Sequence, residues 1–398
     1  MNYFVRCCSL IAFVVAVLEM RLLPLVLTVF FCGTRSISIR TPHVENCVDF
    51  DYNCWYTNTT FHDKVTPRNF TVITFPDGMK TYSLLAITDL DKDARNATSW
   101  TWRAVTRKGS LAIDQNGKSI TVFWRNDSDE ILTTHLNWKG HAMELSDLSR
   151  FNGRLLSPDD KTGMLYEIKD GEAIPWLFLN SGPGNTTCGM KAEWTTTMGK
   201  YLFVGSHGTN STIHKLNWLH ILGLFQESKR MNGNVVSEDP MWIKIVSKNG
   251  EVRSCKWKCI YKKLRRAVNI TEQGYLTHEA VQWSPYHKKW FFLPRKESNT
   301  TYNNIQDEKK GTNLLIIGNP NLTQFEVVRI GKLNHSERGF SAFEFIPETN
   351  DTLIAALKSE EVGDQPPKSY ITVFNIFGQV LLDDQKLDNQ YKFEGIYF

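Results

Sequence analysis

His278-Glu279-Ala280-Val281-Gln282-Trp283-Ser284-Pro285, then Tyr286-His287-Lys288, then Trp290-Phe291-Phe292-Leu293 is the stretch that decides the fold. One polar residue, Glu279, opens an apolar-rich strand; a turn follows, then a second apolar strand. The same phrase recurs along the chain. Ser146 precedes Leu148 and the turn Asn152-Gly153. Glu193 precedes Trp194, the turn Gly199-Lys200 and a strand at 201–204. Ser341 precedes Phe343, a turn at 348–350 and a strand at 353–357. Glu394 sits in a closing strand at 391–398. Steps of about 50–90 residues between these positions suit four-stranded blades with loop insertions. The long step from Glu193 to Glu279 contains an insertion near 226–249. Four such units, plus one shared by both termini, predict an all-β, five-bladed propeller.

Working outward, hairpin signals fill the rest. The run 111–113, Gln115-Asn116-Gly117-Lys118 and 120–124 has Asn-Gly at its tip. A second hairpin is read at 154–156 and 164–168 around a turn at 159–163. The strand-like runs 70–75 and 82–87 flank Pro76-Asp77-Gly78. One helical candidate is found, at 216–224, where a buried strand is equally compatible. Twelve Trp, 13 Tyr and 23 Phe favour pleated, strand-rich structure.

The first 40 residues differ from the rest. Apolar runs at 10–18 and 22–32 flank Glu19, Met20 and Arg21, which disfavours one continuous span. From Met20 the pattern is that of a signal peptide, so residues 1–36 are expected to be a leader with a possible start at Met20. Residues 37–69 read as an N-terminal extension and 70–398 as the propeller domain. A type II anchor is the alternative. Eleven Asn-X-Ser/Thr sequons support a secreted glycoprotein without stable membrane association once the leader is cleaved. Five cysteines lie beyond the leader, with Cys47–Cys54 and Cys255–Cys259 the natural local pairs and Cys188 left over. A net charge of +4 excludes a dedicated nucleic-acid binder.

In a propeller the innermost strand of each blade lines a central channel, so one polar group per repeat can face one ion. Spacing alone leaves open the reading that these residues simply open strands and face water. A resemblance narrows it. The runs Ile87-Thr88-Asp89-Leu90-Asp91, Gly189-Met190-Lys191-Ala192-Glu193-Trp194, His278–Pro285, Gly339-Phe340-Ser341-Ala342-Phe343, Ala356-Leu357-Lys358-Ser359-Glu360-Glu361 and Glu394-Gly395-Ile396 resemble the calcium-activated nucleotidase (apyrase) family. That family includes salivary apyrases of blood-feeding arthropods, for which an anti-platelet role is implied. The resemblance spans roughly 82–398. It implies a five-bladed propeller with Ca2+ held by Ser146, Glu193, Glu279, Ser341 and Glu394, an oxygen-only set suited to calcium. It implies hydrolysis of extracellular ATP and ADP. The sequence departs from the family pattern at 181–188, where Gly182-Pro183-Gly184 replaces an acidic loop.

Phosphoryl hydrolysis needs charge neutralisation and a positioned water. Asp89, Asp91 and Asp160 are the candidates to orient or deprotonate water, against the plain reading of Asp89 and Asp91 as a turn cap. Arg295 is the main phosphate ligand, with Lys108, Lys161 and Lys310 as weaker ones and Trp100 or Trp102 as possible base-stacking residues. The basic run Lys256 to Arg266 reads as a solvated blade edge. Two rivals remain: a five-bladed glycosidase using Glu193, Glu279 and Glu394, and a non-enzymatic ligand-binding propeller. The expected partners are small nucleotides, and the expected state is a monomer or weak dimer.

Overall fold

The structure is a computed structural model that describes residues 70–209, 237–303, 306–388 and 390–398. The leader, the whole extension and the helical candidate at 216–224 lie outside the described residues.

Five antiparallel sheets make the five blades of a β-propeller. Blade 1 holds β1 (Val72–Thr74), β2 (Lys80–Thr88), β3 (Trp102–Ile113), β4 (Ile120–Trp124) and β5 (Glu130–Thr134). Blade 2 holds β6 (Ser149–Phe151), β7 (Arg154–Pro158), β8 (Met164–Lys169) and β9 (Glu172–Phe178). Blade 3 runs β10 (Trp194–Met198), β11 (Tyr201–Gly205), β12 (Trp242–Ser247) and β13 (Val252–Lys256). Blade 4 runs β14 (Tyr275–Ser284), β15 (Lys289–Ser298), β16 (Leu314–Gly318) and β17 (Phe325–Arg329). Blade 5 runs β18 (Arg338–Phe345), β19 (Leu353–Glu360), β20 (Lys368–Asn375) and β21 (Val380–Asp388). The last strand, β22 (Phe393–Tyr397), pairs with β2 in the register Leu85↔Tyr397, Ala86↔Ile396 and Ile87↔Gly395. It is the innermost strand of blade 1, so the two ends of the described chain share one blade, as the repeat predicts.

The apolar runs that define the repeat have a direct cause. Successive side chains of a strand face opposite sides of its sheet, and both faces of each blade are buried. Trp290 and Phe292 pack toward blade 3, with Trp194, Phe203 and Trp283. Phe291 and Leu293 pack toward blade 5, with Phe343 and Phe345. The described core divides into five clusters, each filling the gap between two neighbouring blades.

Side chains also stitch the inner strands together around the channel. Thr195 donates its N–H and Oγ1 to Asp147 Oδ2 at 2.7 and 3.0 Å. Trp283 N–H donates to Thr196 Oγ1 at 2.9 Å, and Gln282 Nε2 to the Phe343 carbonyl at 3.2 Å. Ser341 Oγ donates to the Phe393 carbonyl at 3.3 Å.

The basic run is not a solvated blade edge. It forms a helix, α1 (Lys258–Ala267), with Cys259, Ile260, Tyr261 and Leu264 buried against blades 3 and 4. Trp257 and Tyr261, interleaved with the lysines, are core residues, and the Tyr261 hydroxyl donates to the Ser206 carbonyl at 2.9 Å. Arg265 and Arg266 fall in the last turn, where the helix dipole favours cations. Cys255 and Cys259 are both disulfide-bonded.

Candidate active site in the propeller channel

The site is built where the inner strands begin. Ser146, Glu193, Ser341 and Glu394 are all 4% exposed or less. Glu279 is also largely buried. It lies where β14 bulges against β15, between the pairs His278↔Pro294 and Ala280↔Leu293. Of these five positions, Glu279 and Glu394 share Arg295, and Glu193 meets Lys191.

They are joined by residues from strand ends and connections. Arg295, near the end of β15, bonds Glu279, reaches Glu394 at 2.8 Å and reaches Glu361 at 2.5 Å. A Cβ at Gly339 would stand 2.4 Å from Arg295 Cγ, so the glycine gives the arginine its passage. Lys392 reaches Asp89 at 2.7 Å, Asp91 at 2.5 Å, Glu361 at 3.4 Å and Glu394 at 3.8 Å. Lys161 meets Glu144 at 2.9 Å and Asp160 at 3.3 Å. Lys191 bonds Asp160 and meets Glu193 at 2.5 Å. Asp89 and Glu144 pair through their backbones, which joins the two groups of ion pairs.

The result is one network of eight carboxylates (Asp89, Asp91, Glu144, Asp160, Glu193, Glu279, Glu361, Glu394) against four cations (Lys161, Lys191, Arg295, Lys392). Two histidines border it without adding charge. Burial lowers His141, which meets Glu144 at 3.0 Å, and lowers His207, which meets Glu193 at 3.5 Å, the latter to about 4.

This negative excess shapes the titration of the acids. Burial raises Asp89, helped by Asp91 and opposed by Lys392. Burial raises Glu144, helped by Asp160, and raises Glu279 although Arg295 opposes it. Asp160 goes the other way: burial would raise it, but Lys161 and Lys191 hold it well below the carboxylate range. For Glu361 too, burial is outweighed, by Lys392 and Arg295, and the carboxyl falls to about 2. Carboxylates kept close together in low dielectric call for further positive charge.

The buried oxygens without a hydrogen-bond partner among the described residues include Ser146 Oγ, Asp160 Oδ1 and Glu144 Oε2, the last of which is ion-paired with Lys161. An orphaned hydroxyl beside an oxygen-rich, carboxylate-heavy set fits a hard divalent cation. One oxygen each of Asp89, Asp91 and Glu144 already lie within 4.8 Å of one another, a second grouping able to hold a metal. The ring acids are instead drawn toward Arg295 and Lys191.

Other sequence candidates fall as follows. Asp89 and Asp91 are both a turn cap and part of the network. Asp91 sits at φ 47° with its N–H donating to Asp89 Oδ1 at 2.9 Å. Lys108 is exposed and paired with Glu130 at 2.5 Å on the middle of β3, and the structure does not bring it to the network. Lys310 contributes a carbonyl to Glu297 at 2.9 Å, and its side chain has no ion pair among the described residues. Trp102 is 1% exposed and unavailable to a ligand; Trp100 is 59% exposed. His278 is buried between Tyr261 and Phe292, and burial holds it neutral at about 3.

Sequence reasoning missed Glu144, Lys191, Glu361 and Lys392. Lys191 and Glu361 stood inside the quoted runs, two residues before Glu193 and at the end of Ser359-Glu360-Glu361. Gly189, in the same run as Lys191, is needed because a Cβ there would lie 2.0 Å from the Thr162 carbonyl oxygen.

The family model described as Apyrase matches residues 90–398. The apyrase apy-1 of Caenorhabditis elegans is 45% identical over 329 residues, covering 83% of this chain and 87% of that protein. The soluble calcium-activated nucleotidase 1 of Rattus norvegicus is 38% identical over 323 residues, covering 81% and 75%. The apyrase of Cimex lectularius is 36% identical over 318 residues, covering 80% and 82%. A five-bladed propeller with an ion network at its axis is thus, by class, a nucleotide phosphohydrolase. The chain belongs to the apyrase family. The glycosidase reading of Glu193, Glu279 and Glu394 falls with that result.

Proposed function

We propose that this enzyme is a secreted, calcium-dependent apyrase that converts nucleoside triphosphates and diphosphates to the monophosphate and phosphate. The observation that supports it most is the channel network, in which eight carboxylates face four cations. Such a site can hold a divalent cation and a polyphosphate together, since each compensates the other's charge.

Ser146, Glu193, Glu279, Ser341 and Glu394 would hold Ca2+, which when bound supplies Lewis acidity and a template for the phosphates. Arg295 and Lys392 bind phosphate oxygens; the planar guanidinium suits two oxygens at once. Lys161 and Lys191 keep Asp160 ionised, so its unpartnered Oδ1 accepts a hydrogen bond from the attacking water and orients it. Asp89, raised by burial, takes the proton as water adds to phosphorus and the bridging P–O bond breaks. The convergence of Asp89, Asp91 and Glu144 favours a second reading, in which the cation sits there.

Export is supported by two features. The eight sequon asparagines among the described residues are all exposed: Asn96, Asn126, Asn185, Asn269, Asn299, Asn321, Asn334 and Asn350. Cys255 and Cys259 are disulfide-bonded, as suits an oxidising compartment. Among the described residues no helix is long and apolar enough to cross a membrane. The test is phosphate release from ATP, ADP and AMP in calcium, in magnesium and in chelator. Release from ATP and ADP in calcium alone is expected; release unaffected by chelator would overturn the calcium dependence.

A further inference from the structure

Gln282 joins three blades. It stands on β14, three residues after Glu279. Its Oε1 accepts from Thr196 Oγ1 of β10 at 2.8 Å, and its Nε2 donates to the Phe343 carbonyl of β18 at 3.2 Å. Thr196 follows Glu193 by three residues, and Phe343 follows Ser341 by two. The amide orientation is forced. Thr196 Oγ1 already accepts the Trp283 N–H at 2.9 Å, so its single proton is left for Gln282 Oε1. A flipped amide would set oxygen against the Phe343 carbonyl. Thr196 and Gln282 are both buried, so water competes little for these bonds.

The backbone shows why such bonds are needed. Glu279 lies at the bulge between His278↔Pro294 and Ala280↔Leu293. Ser341 lies at one between Phe340↔Lys358 and Ala342↔Leu357, and Glu394 between Thr88↔Phe393 and Ile87↔Gly395. A bulge re-aims the side chain it carries but leaves that residue out of its own ladder. Its place is then set by what grips the strand from the neighbouring blades. Gln282 grips β14 from both sides. Similar contacts run round the other blades within three residues of each cation candidate. Asp147, beside Ser146, accepts from Thr195, and Ser341 donates to the Phe393 carbonyl. Gly395, beside Glu394, packs so closely on Asp147 that a Cβ would stand 2.8 Å from its carbonyl carbon.

We propose that Gln282, through Thr196 and Phe343, is a positioning residue that fixes the spacing of Glu193, Glu279 and Ser341 and thereby selects calcium over magnesium. The proposal rests on the reading of those three as cation ligands. Calcium takes oxygens at about 2.3–2.6 Å and magnesium at about 2.0–2.1 Å, so a ring held open favours the larger ion. The test follows the melting temperature of chelator-treated enzyme through calcium and magnesium titrations, and takes each dissociation constant from the linkage. Gln282→Met keeps the length and removes both bonds; Thr196→Val keeps the shape and removes the hydroxyl. Neither changes the charge of the channel. In each, calcium should bind about tenfold more weakly, as for other residues that orient metal ligands, while magnesium binds nearly as in wild type. The ratio of the two dissociation constants then falls by the same factor. Thr196→Ser puts a hydroxyl back and should restore the ratio. Lower melting in chelator with a wild-type ratio in either folded variant would overturn the positioning role alone. A wild type whose melting ignores calcium, or a calcium response unmoved by Glu279→Gln, would overturn the ring reading and the positioning role with it.

Discussion

Arg295 Nη1 lies 2.8 Å from Glu394 Oε1, although 99 positions separate the two residues. The contact ties blade 4 to the strand that closes blade 1, and the same guanidinium holds Glu279 and Glu361. Read from sequence, Arg295 is a phosphate ligand whose loss should weaken catalysis more than folding. Its burial, at 6% exposure, changes that expectation. Arg295→Ala leaves buried carboxylates without their cation, a change that typically costs about 3–5 kcal/mol. Both melting temperature and phosphate release should fall. Arg295→Lys keeps the charge but not the fork, so it should recover stability more than activity. An unchanged melting temperature for Arg295→Ala would rule out the tie; unchanged phosphate release would rule out the phosphate role.

Phe393 tests the closure itself. It is fully buried between blades 5 and 1, next to the ring residue Glu394. Phe393→Ala should destabilise by about 3–5 kcal/mol, the usual cost of emptying an aromatic core site. Because β22 completes the circle, the loss should appear as a lower midpoint of one cooperative transition. A separate early transition for blade 1 in denaturant melts would contradict a closed ring.

The blade count was readable because both faces of each blade are buried, which writes continuous apolar runs such as Trp290-Phe291-Phe292-Leu293 into the chain. Asn116-Gly117 gave the β3–β4 hairpin because the turn needs positive φ, and Gly117 has φ 67°. Helix α1 was not readable. Its basic residues mask a short apolar face, Cys259, Ile260, Tyr261 and Leu264, that exists only against its neighbouring blades. The site was half readable. Ring positions recur once per blade, whereas Lys392 and Glu144 carry no local signature. They meet through blade closure and the Asp89–Glu144 backbone pairing, contacts between residues far apart in sequence.

The loop at 181–188, where the sequence leaves the family pattern, supplies a pH prediction. Buried Lys244 donates to the Gly182 carbonyl at 2.7 Å and to Ser254 Oγ at 2.7 Å. Burial lowers its pKa to about 8, with Asp239 opposing. The unfolded chain, near the ordinary value of about 10.4, then holds more protons than the folded one between pH 8 and 10. Stability must rise with pH across that window, and below pH 8 the full penalty of the buried charge, about 3 kcal/mol, is present. Lys244→Met should abolish this rise. The check is melting temperature against pH for both proteins; parallel curves between pH 8 and 10 would remove Lys244 as the cause.

Calcium linkage separates the two metal readings. A cation bound by the folded state alone raises stability by about 2.7 kcal/mol at a hundredfold excess over its dissociation constant. Under the ring reading, Glu279→Gln removes one negative ligand while keeping its size, so the calcium-induced rise should shift to higher concentration. Asp91→Asn should leave that shift small, since Asp91 is about half exposed and outside the ring. Under the three-acid reading the two effects exchange. Glu279→Gln also frees part of the Arg295 fork, so melting without calcium must be recorded for each protein and subtracted. The calcium-dependent increment, not the absolute midpoint, is compared. Magnesium should give a smaller increment, because it demands tighter octahedral geometry and sheds water reluctantly. Increments that coincide for wild type and both variants would show that neither group of carboxylates holds the ion.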